Sequence, residues 1–179
     1  MKPSAFAAAV LLAASLSACS LAPPESAVDP RVERKVAAVK LDPEAALAAI
    51  NAYRAAKGAP PLRLDPGLTV MAQHQADAMA ASGQLSHTVG GGFSARLAAD
   101  HIDAGEAGEN LGAGYYSLDE AMAGWKGSPE HDANMLRPGF TRLGVAIAKN
   151  PKTSWGVYWV TDFAGAPKPK DVGLLTTSE

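Results

Sequence analysis

The stretch "TRLGVAIAKNPKTSWGVYWVTDFA", Thr141 to Ala164, leaves the chain the least choice of fold. In its first half Leu143, Val145 and Ile147 alternate with small residues, and in its second Trp155, Val157, Trp159 and Phe163 alternate with Tyr158, Val160 and Asp162. A period of two is the signature of a strand, and "NPKT" between the halves is turn chemistry, so the pair predicts an antiparallel hairpin. "GENLGAGY", Gly108 to Tyr115, adds a third strand to the expectation, weakened by its glycines. The helical stretches of the domain precede the hairpin. Helices first and antiparallel strands late give an α+β fold rather than a doubly wound sheet.

The helical part repeats one grammar. In "LDPEAALAAINAYRAAKGAPPL" Asp42 is a good N-cap and Pro43 a good first residue, because the missing N–H would have been unpaired anyway. Leu47, Ile50 and Tyr53 form one stripe, and Gly58 with Pro60 and Pro61 stops the helix. Asp65 and Pro66 open a second helix with Leu68, Met71, Ala72, Gln75 and Met79 on one side, closed by Gly83. Ser117 and Glu120 form a capping box for a third, which carries Leu118, Met122 and Trp125 inward. In "GWKGSPEHDANML" that helix ends and another restarts, with Ser128 as cap, Pro129 first, and His131 in the first turn.

The N-terminus reads differently. Lys2 is followed by an uncharged, mostly apolar run from Ala5 to Ala18, too short for a comfortable membrane span. It ends in "LSAC", which resembles the lipobox of bacterial lipoproteins, in which the cysteine is lipidated; an ordinary secretory signal is the alternative. Residues 1–18 are therefore expected to be a lipoprotein signal peptide and Cys19 the lipidation site, giving an envelope protein attached to a membrane. Ser20, in place of Asp, resembles lipoproteins sent to the outer membrane. Cys19 is the one cysteine, so no intrachain disulfide can form. Residues 19–41, rich in proline and then in mixed charge, read as a lipidated N-terminus and tether, with a packed helix over Val32–Leu41 as the alternative. At full extension residues 20–41 reach at most about 70–80 Å. The domain is expected over 42–165, and 166–179 as a Pro/Lys-rich tail. With 47% hydrophobic residues the chain can bury a core, and a formal charge of −2 without basic blocks argues against nucleic acid as a partner.

Four histidines could carry chemistry. His74 flanks the stripe of the second helix and His101 lies in a polar connection, so neither points to a site. His87 and His131 sit at element boundaries, and Glu109 lies between them, at the mouth of the third strand. Two imidazoles and a carboxylate are a ligand set for a divalent transition metal such as Zn2+ with a position open to water. They could equally be a hydrogen-bonded polar cluster, and spacing does not decide.

Taken in order, "INAYRAAKGAPPLRLDPGLTVMAQHQADAMAASGQLSH", "GENL", "SPEHDANML" with the Trp125 before it, "LGVAIA" and "YWVTDF" resemble the CAP superfamily. It joins the cysteine-rich secretory, antigen 5 and pathogenesis-related-1 proteins, and the module is also called the SCP domain. The resemblance runs over about 46–165. It implies an α-β-α sandwich with a small antiparallel sheet between helices, and a cleft carrying two histidines and two acids that binds divalent metal in some members. His87, Glu109 and His131 match three of the four positions. The second acid usually lies three residues after the helix tryptophan; here Trp125 is followed by Ser128 at that place, with Glu130 two residues on. A metal hydrolase needs a general base beside its ligands, and the reduced set leaves none in an obvious place. "GYYSL" is not G-x-S-x-G, and the glycines fit no nucleotide-binding pattern. The functions implied are, first, an envelope-anchored module binding metal and a lipid, glycan or envelope protein; second, a metal-dependent hydrolase of envelope peptides or polysaccharide; third, a structural or adhesive domain.

Overall fold

The computed structural model describes residues 28–167. The hairpin is the centre of a four-stranded sheet: β3 (Phe140–Asn150) and β4 (Gly156–Gly165) pair antiparallel, and β2 (Ala107–Ala113) lies antiparallel on the far side of β4. A two-residue strand, β1 (Arg63–Leu64), adds a parallel pairing to β3, giving the order β1-β3-β4-β2. The sheet is thus mixed, and its antiparallel part is the one the alternation predicts. Helices α1 (Pro30–Ala38), α2 (Pro43–Ala56), α3 (Pro66–Ser82), α4 (Phe93–Ala99), α5 (Leu118–Lys126) and α6 (Pro129–Leu136) complete the α-β-α sandwich.

The two faces of β4 are buried for different reasons. Leu143, Ile147, Val157, Trp159 and Phe163 join Ile50 of α2, Trp125 of α5 and Met135 of α6 in the larger core. Phe140 and Phe163 stack there at 5.6 Å, while the Trp125 and Trp159 indoles each donate to a carbonyl, of Leu111 and Tyr115, at 2.9 Å. On the other face the sheet shows Gly144, Ala146 and Ala148, and α3 meets it with Ala72, Ala76 and Ala80. A Cβ at Gly144 would fall inside contact distance of the Leu68 carbonyl, so this glycine lets the first turn of α3 rest on the strand. Small residues on both partners bring helix and sheet together.

The helix starts follow the expected chemistry. Asp42 accepts from the Glu44 and Ala45 amides at 3.0 and 3.3 Å, Asp65 from Leu68 at 3.1 Å, and Ser117 from Glu120 at 3.2 Å. Gly83 closes α3 with φ +72°, in the left-handed region that glycine enters without strain. Ser128 holds the N-cap position of α6 without a side-chain cap bond; its carbonyl takes the Asp132 amide at 2.8 Å.

Two expectations are corrected. The tether reading does not hold for residues 30–41: α1 buries Val36 and Val39 at 1% and 4% exposure, and Lys149 donates to the Ala37 carbonyl. The packed helix weighed as the alternative for Val32–Leu41 is what the structure has, running from Pro30 to Ala38. Trp155 lies in the turn rather than in β4 and is 44% exposed. A helix not anticipated from the sequence, α4, follows the glycines at 90–92, and no side chain caps it. Residues 1–27, with Cys19 and the signal-peptide reading, and the tail beyond 167 lie outside the described residues.

Candidate functional site

β2 is an edge strand, and its alternation sends Glu109 to the α3 face and Asn110 to the α6 face. The site is built on both sides of that edge. His87 stands in the loop after α3, which is tied down by two buried side chains. Gln75 of α3 donates to the Ser86 carbonyl at 2.5 Å and accepts from the Gly90 amide at 3.2 Å. Arg96 of α4 donates to the carbonyls of His87, at 2.9 Å, and of Gly91. The loop therefore has little freedom where the imidazole leaves it.

His87 Nδ1 meets Glu109 Oε1 at 2.6 Å, and the other Glu109 oxygen is paired with Arg96. Glu109 and Arg96 are 6% and 4% exposed, while the His87 side chain is 57% exposed. With a carboxylate accepting at Nδ1, that nitrogen carries the proton and Nε2 is left as the free nitrogen of the ring. Glu109 is thereby brought to His87 as an orienting partner rather than as a third donor.

From the α6 side, Asn110 donates to the His131 carbonyl at 2.9 Å, and Asn134 donates to Asn110 Oδ1 at 2.9 Å and to the Glu109 carbonyl at 3.2 Å. This amide ladder fixes the first turn of α6 against β2. Burial lowers the pKa of the His131 imidazole, nearby His87 lowers it further, and Glu130 works against both. His131 is accordingly neutral at pH 7. Glu130 itself is exposed and acts through its charge, while Asp132 is taken up by the Tyr53 hydroxyl at 2.7 Å. His74 points outward, 3.7 Å from Asp100, and His101 is exposed with φ +54°.

The structure thus puts His87 in contact with Glu109, and places His131 within electrostatic reach of His87 and of Glu130. Among the described residues, no group of three or more His, Cys, Asp or Glu side chains is arranged to hold a metal ion. The donor chemistry fits two imidazoles, with Glu109 behind one of them. Sequence reasoning missed Arg96, which has no local signal, and Asp162, hidden in the alternation of β4. It assigned Gln75 to the apolar stripe, where its amide could have drawn notice.

Residues 47–163 match the family model of CAP, the cysteine-rich secretory protein family. The chain belongs to the CAP family. The uncharacterized protein YkwD of Bacillus subtilis is 30% identical over 118 residues, 64% of this chain and 44% of that one. Among solved structures, an extracellular SCP-domain protein of Bacillus anthracis superposes with a TM-score of 0.62 at 23% identity, covering 71% of this chain and 45% of its own. An outer surface protein of Borrelia burgdorferi gives 0.61 at 20% identity, covering 70% and 96%. The chain spans less than half the length of the two Bacillus proteins it matches. In this CAP domain the position three residues after Trp125 is Ser128, half-buried at the N-cap of α6, so the acid that the resemblance led one to expect is absent from that place. No helix among the described residues is long and apolar enough to cross a membrane.

Proposed function

We propose that this CAP domain is a binding module held at the outer membrane of a bacterial envelope by a lipid on Cys19, and that His87 and His131 together hold a divalent cation such as Zn2+. One contact carries the reading. The buried Glu109 carboxylate takes the Nδ1 proton of His87 at 2.6 Å, the arrangement that stands behind most metal-binding imidazoles and leaves Nε2 free to ligate. The lowered pKa of His131 supports it, because a ligating imidazole must be neutral. A bound cation would attract an oxygen of a lipid headgroup, a glycan or an envelope protein, with Glu130 beside His131 selecting against acidic ligands. Glu109 is committed to His87 and Arg96, so it has no proton-transfer role in this reading.

Zinc titration of the purified full chain tests it. His87→Ala and His131→Ala should each weaken binding at least tenfold, and Glu109→Gln about 10–100-fold, as loss of an orienting partner does. Unchanged affinity in both histidine variants sinks the shared site. Turnover of envelope peptides or polysaccharide by the zinc-loaded protein would move the reading to a hydrolase. Cys19→Ser should release the protein from the membrane fraction; retention there would remove the anchor from the proposal.

A further inference from the structure

Asp162 lies in the middle of β4, fully buried on the face that α3 covers. Its cross-strand partners are Glu109 of β2 on one side and Gly144 of β3 on the other. Gly144 offers no side chain, and the α3 backbone closes over it at Leu68. Residues directly opposite on neighbouring strands have Cβ atoms about 4.5–5.5 Å apart, so the two carboxyl groups share one small space.

Both Asp162 oxygens are buried without a donor. The titratable and charged groups around them are Glu109 from β2, Arg96 from α4 and Asp100 at its end, with His87 beyond Glu109. His74 of α3 lies outside, against Asp100. Arg96 spends Nη1 on the carbonyls of His87 and Gly91 and Nη2 on Glu109. Its Nε is buried and unpaired, a single donor that cannot answer two oxygens. Thus one cation faces two buried carboxyl groups, and the neighbour nearest in register to Asp162 is itself an acceptor.

We propose that Asp162 is a neutral carboxylic acid whose O–H donates to the Glu109 carboxylate, and that it is a positioning residue for His87. Glu109 then accepts from Asp162, Arg96 and His87, within the roughly four lone-pair sites of a carboxylate. Held on two sides, it has one orientation in which to take the Nδ1 proton of His87. Burial, with the charge of Glu109, pushes the Asp162 carboxyl well above the usual carboxylate range against the pull of Arg96, in keeping with this geometry. The inference rests on the Glu109–His87 contact of the proposed site and not on metal binding.

Infrared spectroscopy of the metal-free full chain, with carbon-13-labelled aspartate, tests the protonation near neutral pH. The wild type should show the C=O band of a buried carboxylic acid, and Asp162→Asn should lose it; absence of that band in the wild type overturns the proposal. Nitrogen-15 spectra of the His87 ring test the positioning. The wild type should show the Nδ1–H form, Asp162→Ala should shift toward a mixture, and Asp162→Asn, whose amide donates to Glu109, should restore the wild-type pattern. Identical ring signals in all three proteins would end the positioning role. Should the alanine variant fail to fold, Asp162→Leu, which removes the donor while filling the space, takes its place with the same expected shift of the His87 ring signals. Wild type that shows the band yet binds no zinc supports this inference and sinks the metal reading alone.

Discussion

A single guanidinium, that of Arg96, reaches three backbone and side-chain partners and so determines where His87 can stand. A second, Arg142, does the same for the other end of α3. It pairs with Asp65 at 3.0 Å while donating to the carbonyls of Asp103 and Gly165. Burial raises the Asp65 carboxyl, but the Leu68 amide and Arg142 together outweigh it, and the net pKa is lowered. A folded pKa below the unfolded one means stability that is fully present above the ordinary value near 3.8 and lost as pH falls through the folded value. Asp65→Asn keeps the cap, since asparagine caps as well as aspartate. The advantage of wild type over this variant, measured by urea unfolding, should be constant above about pH 5 and shrink below pH 4. A difference independent of pH would mean that the ion pair contributes nothing. At this scale the sequence was half legible. His87, Glu109 and His131 stood out by their places at element boundaries, but their convergence was implied only by a resemblance, because 22-residue gaps on separate elements say nothing of it. Arg96 and Asp162 were invisible, because pairing across elements leaves no local mark.

The elements were legible wherever hydrophobic period and end chemistry agreed. Asp42–Pro43 and Asp65–Pro66 mark the starts of α2 and α3, Gly83 marks an end, and the β3–β4 alternation gives the hairpin. α4 was lost because seven residues behind an uncapping glycine carry too few turns to show a period, and β1 because two residues cannot alternate. The small residues of β3 were seen only as the partners of an alternation. Their role lies in how closely α3 approaches. Gly144→Ala should therefore cost at least about 1–3 kcal/mol, since the backbone of Leu68 would have to lift from the strand. Chemical denaturation measures it, and a loss under about 0.5 kcal/mol, the range of an ordinary surface change, would show that α3 has slack.

For the molecule as a whole, two links close the sandwich. Arg54 of α2, fully buried and in no ion pair among the described residues, donates to the carbonyls of Pro60, Met135, Arg137 and Phe140. It joins α2 to the end of α6 and the start of β3, and its charge suits the carbonyl end of a helix. The second link is α1, whose Val36 packs against Gly156 and whose Lys35 lies 3.7 Å over the Tyr116 ring. A chain beginning at residue 28 should unfold at a higher urea concentration than one beginning at residue 41, which lacks the buried side chains of Val36 and Val39. Equal urea midpoints would show α1 to be an ornament on the core.

Docking α1 also shortens the leash. With residues 30–41 fixed to the sandwich, a chain lipidated at Cys19 has only residues 20–29 to pay out, about 35 Å at full stretch. That is half the radius the unbroken tether would allow. Under the proposed anchor the domain would be confined to a thin shell over the membrane, and the point where α1 meets the sheet would set which of its sides is turned toward the lipid and which toward whatever passes above.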